Sequence, residues 1–314
     1  MNQPTSPEPD ADAYRDALAG GYLPIRDVAS LTGVNPVTLR AWERRYGLVV
    51  PHRTAKGHRL YSPDQVQTIH AVLGWLNRGV SVGQVKGLLR ADQPLPADQA
   101  SQWQEKREQL CHAIHLLDER QLDERFNAEL ALYPPQILCQ HLLLPLLVTL
   151  EQRWSQRPGA TTERLFLHSW LRSKLGARVY HDNRQHTGKP LLLINLCQMP
   201  MSPQLWLCAW LIATAGCPVD AFDGPIPVNE LPLAIARLQP RALLLFCEAD
   251  SNTNAESSLH HWLSDHRIPC LLVGIEDEMR GRQLVANAPN GADITFMADP
   301  LAALQTLADR HLLE

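Results

Sequence analysis

The sequence has little net charge, no closely spaced cysteine pair and no long apolar run. Of its 314 residues, 33 are acidic and 29 are Lys or Arg, a formal balance of -4, which taken over the whole chain argues against a polyanionic partner. No stretch approaches the roughly 20 consecutive apolar residues of a membrane span. The opening MNQPTSPEPDADAY lacks the basic and apolar pattern of a secretory signal, so a cytoplasmic chain without a membrane partner is expected. The seven cysteines (Cys111, Cys139, Cys197, Cys208, Cys217, Cys247, Cys270) are scattered with no CxxC pair, which predicts reduced, buried thiols. His112 with His115, and His181 with His186, lack the further partners of a metal site, and no metal is expected. No nucleophile, base and orienting group can be assembled from spacing, so no enzyme activity is expected.

What is present is unevenly distributed. Between Gly21 and Arg90 ten Lys or Arg face only Asp27, Glu43 and Asp64, a local balance of +7 that leaves -11 for the rest of the chain. One basic module on an acidic body is the pattern of a protein whose single module faces a polyanion. Within it, IRDVASLTGV places Ile25, Val28, Ala29 and Leu31 at helical spacing before Gly33, and NPVTLRAWERRYGL opens a second helix with Asn35 as N-cap and Pro36 as first residue. Two short helices across a tight turn make a helix-turn-helix. Leu39, Trp42 and Tyr46 fall on its inner face, and Val37, Arg40, Ala41 and Arg44 on the opposite face with Arg45 beside them. Small residues flanked by guanidinium groups suit a major groove. PHRTAKGHRLYS follows as a predicted β-hairpin, a wing with Arg53, Lys56, His58, Arg59 and Tyr61 around Gly57. SPDQVQTIHAVLGWLNRG carries a capping box, Ser62 with Gln65, and SVGQVKGLL repeats it with Ser81 and Gln84.

This order resembles the winged helix-turn-helix of MerR-family transcription regulators, carried by Ile25 to Leu31, "TLRAWERRYGL", "GHRLYS" and "LNRGVSVGQVKGLL". The Trp42-Glu43-Arg44-Arg45-Tyr46 variant is similar to the CarH, LitR and MlrA subgroup. The resemblance implies DNA contacts by Thr38, Arg40, Arg44, Arg45, Tyr46, Arg53, Arg59 and Tyr61. It also implies a homodimer or higher homo-oligomer on a near-palindromic promoter site, placed at the nucleoid, with light response or biofilm control among the roles of the subgroup.

The predicted organisation is multi-domain. A disordered tail (1–21) precedes the winged helix-turn-helix (22–90), a Pro-containing linker (91–101) and a four-helix bundle (102–182). In the bundle, Trp103, Trp154 and Trp170 are expected in the core. From Lys189 the pattern alternates apolar strands with helices, which predicts a flavodoxin-like α/β domain (189–314), a doubly wound parallel sheet. "LLLINLCQMPMSPQLW" is its first strand, turn and helix start, where such sheets bind ligands, yet the turn has no Gly for a pyrophosphate. EADSNTNAESS after the third strand is polar and open to a small ligand.

The end region resembles the cobalamin-binding domain of methionine synthase and of the CarH and LitR regulators, through "KPLLLINL", "LIATAGCPV", "CLLVG" and "GADITFMADPLAAL". In those relatives the first turn reads Asp or Glu, any, His, any, any, Gly, and the His ligates cobalt; Met199, Met201 and Gln204 stand at those places here. The bundle motif, Trp, nine residues, Glu-His, is represented by Trp154, Arg164 and Leu165. A thioether is a weak partner for Co(III), and Gln cannot replace a permissive Gly, so no cofactor is expected. The expected function is a sequence-specific regulator of double-stranded promoter DNA, controlled through its C-terminal domains by a protein partner, such as a photoreceptor or anti-repressor, or by oligomer state. The alternative is a small-molecule sensor with a remodelled ligand between bundle and α/β domain.

Overall fold

The computed structural model describes residues 14–15, 17–90, 99–155, 160–196, 201–224, 226–246, 268–274, 278–288 and 292–313. The chain divides into two compact units, Met1–Gln152 and Arg153–Glu314.

In the first unit, β1 (Leu23–Pro24) leads into α1 (Ile25–Thr32), which Gly33 ends in a left-handed conformation at φ 70°. Asn35 caps α2 (Pro36–Ala41) by accepting from Thr38 N. The helix then widens into a π turn over Trp42–Tyr46, closed by Gly47 at φ 56°. β2 (His52–Arg53) and β3 (Arg59–Tyr61) pair antiparallel, and β1 adds to the other edge of β3. The Ser62–Gln65 capping box is present at the start of α3 (Pro63–Asn77), whose buried stripe is Val66, Ile69, Val72 and Leu76. At the start of α4 (Val82–Arg90) the first turn is held by Ser81 O, accepting from Gln84 N and Val85 N, and by Tyr133 Oη, accepting from Val82 N.

The tail prediction needs correcting at its end. Residues 14–15 and 17–19 are helical, and Gly21 N and Tyr22 N close that helix on Leu18 O and Ala17 O. Residues 1–13, and 91–98 of the predicted linker, lie outside the described residues.

The helical region comprises α5 (Gln99–His115), α6 (Glu119–Leu130), and a long helix made of α7 (Pro135–Leu138), a π turn (Cys139–Leu143) and α8 (Leu144–Trp154). The π turn has a local cause. Pro145 has no N–H to give His141 O four residues back, and Arg107 Nη1 donates to that carbonyl instead at 3.0 Å.

In the second unit, β4 (Leu191–Asn195), β5 (Val219–Phe222), β6 (Leu243–Phe246), β7 (Cys270–Val273) and β8 (Ile294–Met297) form one parallel sheet in the order β5-β4-β6-β7-β8. That is the 2-1-3-4-5 order of a flavodoxin-like sheet. β4, β6 and β7 are buried at every residue, as strands covered on both faces must be. Their helices include α10 (Pro203–Thr214), α11 (Leu231–Leu238), α12 (Glu278–Ala286) and α13 (Pro300–Asp309). The predicted helix over ESSLHHWLSDH lies outside the described residues.

The unit boundary runs through the predicted four-helix bundle. Its last helix, α9 (Ala160–Asn183), belongs with the α/β sheet. Leu167, Trp170, Leu171, Leu175 and Val179 form its buried stripe, and it packs along α10. Gly176 lies at this contact, where a Cβ would just touch the Trp206 ring at 3.4 Å. With α9 and α13 both against it, α10 is apolar on all sides.

Candidate nucleic-acid interface

Along α2 and its π turn, the residues facing solvent are Val37 at 58% exposure, the half-buried Arg40, and the exposed Arg44 and Arg45. Arg44 Nε lies back on Arg40 O at 3.4 Å, so the two guanidinium groups share one side of the helix. Tyr46 is half-buried, while Lys56 and His58 are exposed at the hairpin tip. That tip is turned by Thr54, whose O accepts from Gly57 N at 2.8 Å and whose Oγ1 accepts from His58 N at 3.1 Å.

Two of the expected DNA contacts are corrected by burial. Thr38 is 0% and Tyr61 1% exposed. Thr38 faces inward because its turn of helix is packed against the core, and Tyr61 because it ends the central strand of the small sheet. Neither Thr38 Oγ1 nor Tyr61 Oη has a hydrogen-bond partner among the described residues. Burial, reinforced by the Glu43 charge, pushes the Tyr61 hydroxyl up to about 12.

Glu43 is the residue that sequence reasoning passed over. Its Oε1 accepts from Arg53 Nη2 and its Oε2 from Arg59 Nε, both at 2.6 Å, with the carboxylate side chain only 10% exposed. Burial alone would raise this carboxyl, but hydrogen bonds and charge from Arg59 and Arg53 outweigh it and hold the group below its ordinary range. The carboxylate therefore ties the recognition helix to both strands of the hairpin. The three groups together present one net positive charge rather than two.

The basic module is anchored to the helical region of the same unit by four polar contacts, two of them buried. Trp42 Nε1 donates to Leu132 O at 2.8 Å, Trp103 Nε1 to Gly79 O at 2.8 Å, Val82 N to Tyr133 Oη at 3.3 Å and His141 Nε2 to Asn77 O at 3.0 Å. The Trp103 ring stacks on His141 at 5.4 Å and tilts against Tyr133 at 4.9 Å. Burial holds the His141 imidazole below its usual value, so it sits there neutral.

The second unit has a cleft of about 520 Å³ lined by Ser169, Arg172, Ser173 and Gly176 of α9, Trp206 of α10, and Asp223 after β5. Asp223 organises it. Its Oδ2 accepts from Arg172 Nε at 2.8 Å and Trp206 Nε1 at 3.2 Å, and its backbone O accepts from Asn195 Nδ2 and Met201 N, each at 2.9 Å. Met201 is 7% exposed and holds a left-handed φ of 74°. Gln204 fills the space over Gly274, where a Cβ would meet its Oε1 at 2.9 Å, and that buried oxygen has no hydrogen-bond partner among the described residues. Trp154 donates to Glu163 Oε2 at 3.1 Å and carries the Arg164 guanidinium over its ring at 5.3 Å, while Leu165 is 51% exposed. Trp103, Trp154 and Trp170 are buried, as expected for core aromatics. No cluster of three or more metal-ligating side chains occurs among the described residues.

Residues 23–92 match the MerR HTH family regulatory proteins. Over 243 residues the chain is 30% identical to the HTH-type transcriptional regulator MlrA of Salmonella typhimurium, covering 77% of this chain and 95% of that protein. The chain belongs to the MerR family, with MlrA among its homologues. This MerR-family chain is also 27% identical over 161 residues to the HTH-type transcriptional repressor CarH of Myxococcus xanthus, covering 48% of this chain and 54% of that one. Its residues 106–178 match a B12 binding domain.

The residues of this MerR-family chain do not fit a corrinoid. Met201, at the place the resemblance gives to a cobalt-ligating His, is buried with its backbone N–H committed to Asp223 O. The slot that a Gly would leave open is occupied by Gln204 against Gly274. On the helical side the Trp154 face is covered by Arg164. Met199 and the polar loop EADSNTNAESS lie outside the described residues.

Proposed function

We propose that this chain regulates transcription by binding double-stranded promoter DNA as a homodimer. Arg40, Arg44, Arg45 and Tyr46 meet the major groove, and the β2–β3 hairpin serves as the wing, with Lys56, His58 and the Glu43-bound pair Arg53 and Arg59 along the backbone. The observation that carries this reading is the pairing of Glu43 with Arg53 and Arg59 at 2.6 Å each. It holds the basic hairpin beside the exposed arginines of the recognition helix, so that both can engage one duplex. A dimer places two such heads on a near-palindromic site about one helical turn apart. Catalysis plays no part in this function, and the acting location is the cytoplasm at the nucleoid.

Control passes through the C-terminal regions by a protein partner or by oligomer state. The filled crevice at Met201 and Gln204 favours this over a bound corrinoid. A second reading, sensing of a small molecule, is supported by the cleft beside Arg172 and Trp206. The deciding test is selection of bound duplexes from a random library by the full chain, followed by footprinting and by Arg40→Ala and Arg44→Ala. Enrichment of a near-palindrome, lost in the double variant at physiological salt, is expected; unchanged affinity would refute the contact assignment. Thermal shift against a small-molecule panel separates the two modes of control, since a ligand at 100 times its Kd adds about 2.7 kcal/mol.

A further inference from the structure

We propose that Val37 reads the 5-methyl group of a thymine in each half of the DNA site. The inference rests on the DNA-binding reading above and adds a base to it. The first turn of α2 consists of Pro36, Val37, Thr38 and Leu39. Asn35 turns its side chain back to cap Thr38 N at 2.9 Å, Thr38 is 0% exposed and Leu39 is 2% exposed. Pro36 has no N–H to offer. Val37, at 58% exposure, is the one large apolar side chain exposed between Pro36 and Tyr46.

Val37 also stands in line with the cationic residues. Arg40 and Arg44 follow it at three and seven residues, on the same side of the helix. In a helix-turn-helix, the N-terminal residues of the second helix approach the base edges most closely. Arginines farther along have the reach for phosphates or guanine edges. The side chain nearest the bases is therefore an isopropyl group, which neither donates nor accepts a hydrogen bond. The apolar feature of a major-groove base edge is the thymine methyl. A β-branched residue suits this task because its χ1 is nearly fixed in a helix, so little side-chain freedom is lost when the methyl is met.

The test uses the full chain and the duplex enriched from a random library. Each dT is replaced in turn by dU, which keeps the base pair and removes one methyl, and affinity is measured for the wild type and for Val37→Ala. At one dT in each half-site, dU is expected to weaken wild-type binding about fourfold, the equivalent of about 0.8 kcal/mol for one buried methyl group. Val37→Ala is expected to bind the dT and dU duplexes equally at that position, while its response at every other position matches the wild type. The inference is overturned if the chain binds the enriched duplex specifically but no dU penalty disappears in Val37→Ala. A library that yields no enriched duplex overturns the DNA-binding reading, and the inference with it.

Discussion

Replacing Glu43 by Gln removes the charge that joins the recognition helix to the hairpin, and two consequences of opposite sign follow. The Arg59 bond is the stronger of the pair, because Arg59 is 18% and Glu43 10% exposed. A charge-assisted bond of this kind contributes about 1.5–3 kcal/mol. Arg53 is 49% exposed, so solvent screening limits its share to about 0.2–1 kcal/mol. Gln retains one acceptor oxygen, which leaves a net loss of about 2 kcal/mol. If the first unit, of 152 residues, unfolds in one step, that lowers Tm by about 4–8 °C. Because the folded-state Glu43 carboxyl titrates below its unfolded value, its stabilisation is complete above about pH 4.3 and fades as pH falls through the folded value. The variant should lack that acid-dependent component. On DNA, freeing two guanidinium groups adds one positive charge, so non-specific binding should tighten and its log–log salt slope steepen by about 1. Specific binding should weaken, because the hairpin is no longer held. Calorimetry at several pH values and salt titrations on specific and random duplexes measure all of this. An unchanged Tm together with an unchanged salt slope would refute the reasoning.

Three further outcomes are expected. His168 in α9 is pushed down to about 4 by burial and by the Arg164 charge. The unfolded chain therefore binds the extra proton first, and stability should drop as pH falls from about 6.5 towards 4, by an amount on the order of 3 kcal/mol; if His168→Gln keeps the full drop, another group is responsible. Trp103→Phe leaves Gly79 O without its indole donor, at a cost of about 1–3 kcal/mol, and amide exchange in the turn around Gly79 should speed up; unaltered protection there would contradict the anchoring contact. Saturating adenosylcobalamin should leave both Tm and the visible spectrum of the cofactor unchanged in light and dark, and a marked stabilisation would reverse the conclusion drawn from Met201 and Gln204.

Much of the basic module was legible because its signals are local. Gly33, Asn35, Pro36 and the Ser62–Gln65 box act within a few residues, and the structure has each in its expected role. The strands from Leu191 and Leu243 were legible for a similar reason, since a short run of Leu and Ile between turn residues has few alternatives to a buried parallel strand. Thr38 and Tyr61 were misplaced because family position says nothing about which rotation of a helix or strand the core takes up. Glu43 was missed because its partners lie 10 and 16 residues away. A carboxylate among arginines reads in one dimension merely as a reduction of charge.

The amino-acid order by itself determined the helix-turn-helix, its hairpin, the change of period near Lys189 and the presence of Met201 where the resemblance expects a His, all of which depend on short-range spacing or on residue identity. Only the tertiary structure decided that α9 packs on α10 with the sheet, that Glu43 restrains two of the arginines, that Gln204 fills the space over Gly274, and that Asp223 gathers Arg172 and Trp206 at one cleft. Those outcomes turn on contacts between segments far apart in sequence, where burial and the pairing of polar groups select one partner from many that local patterning allows.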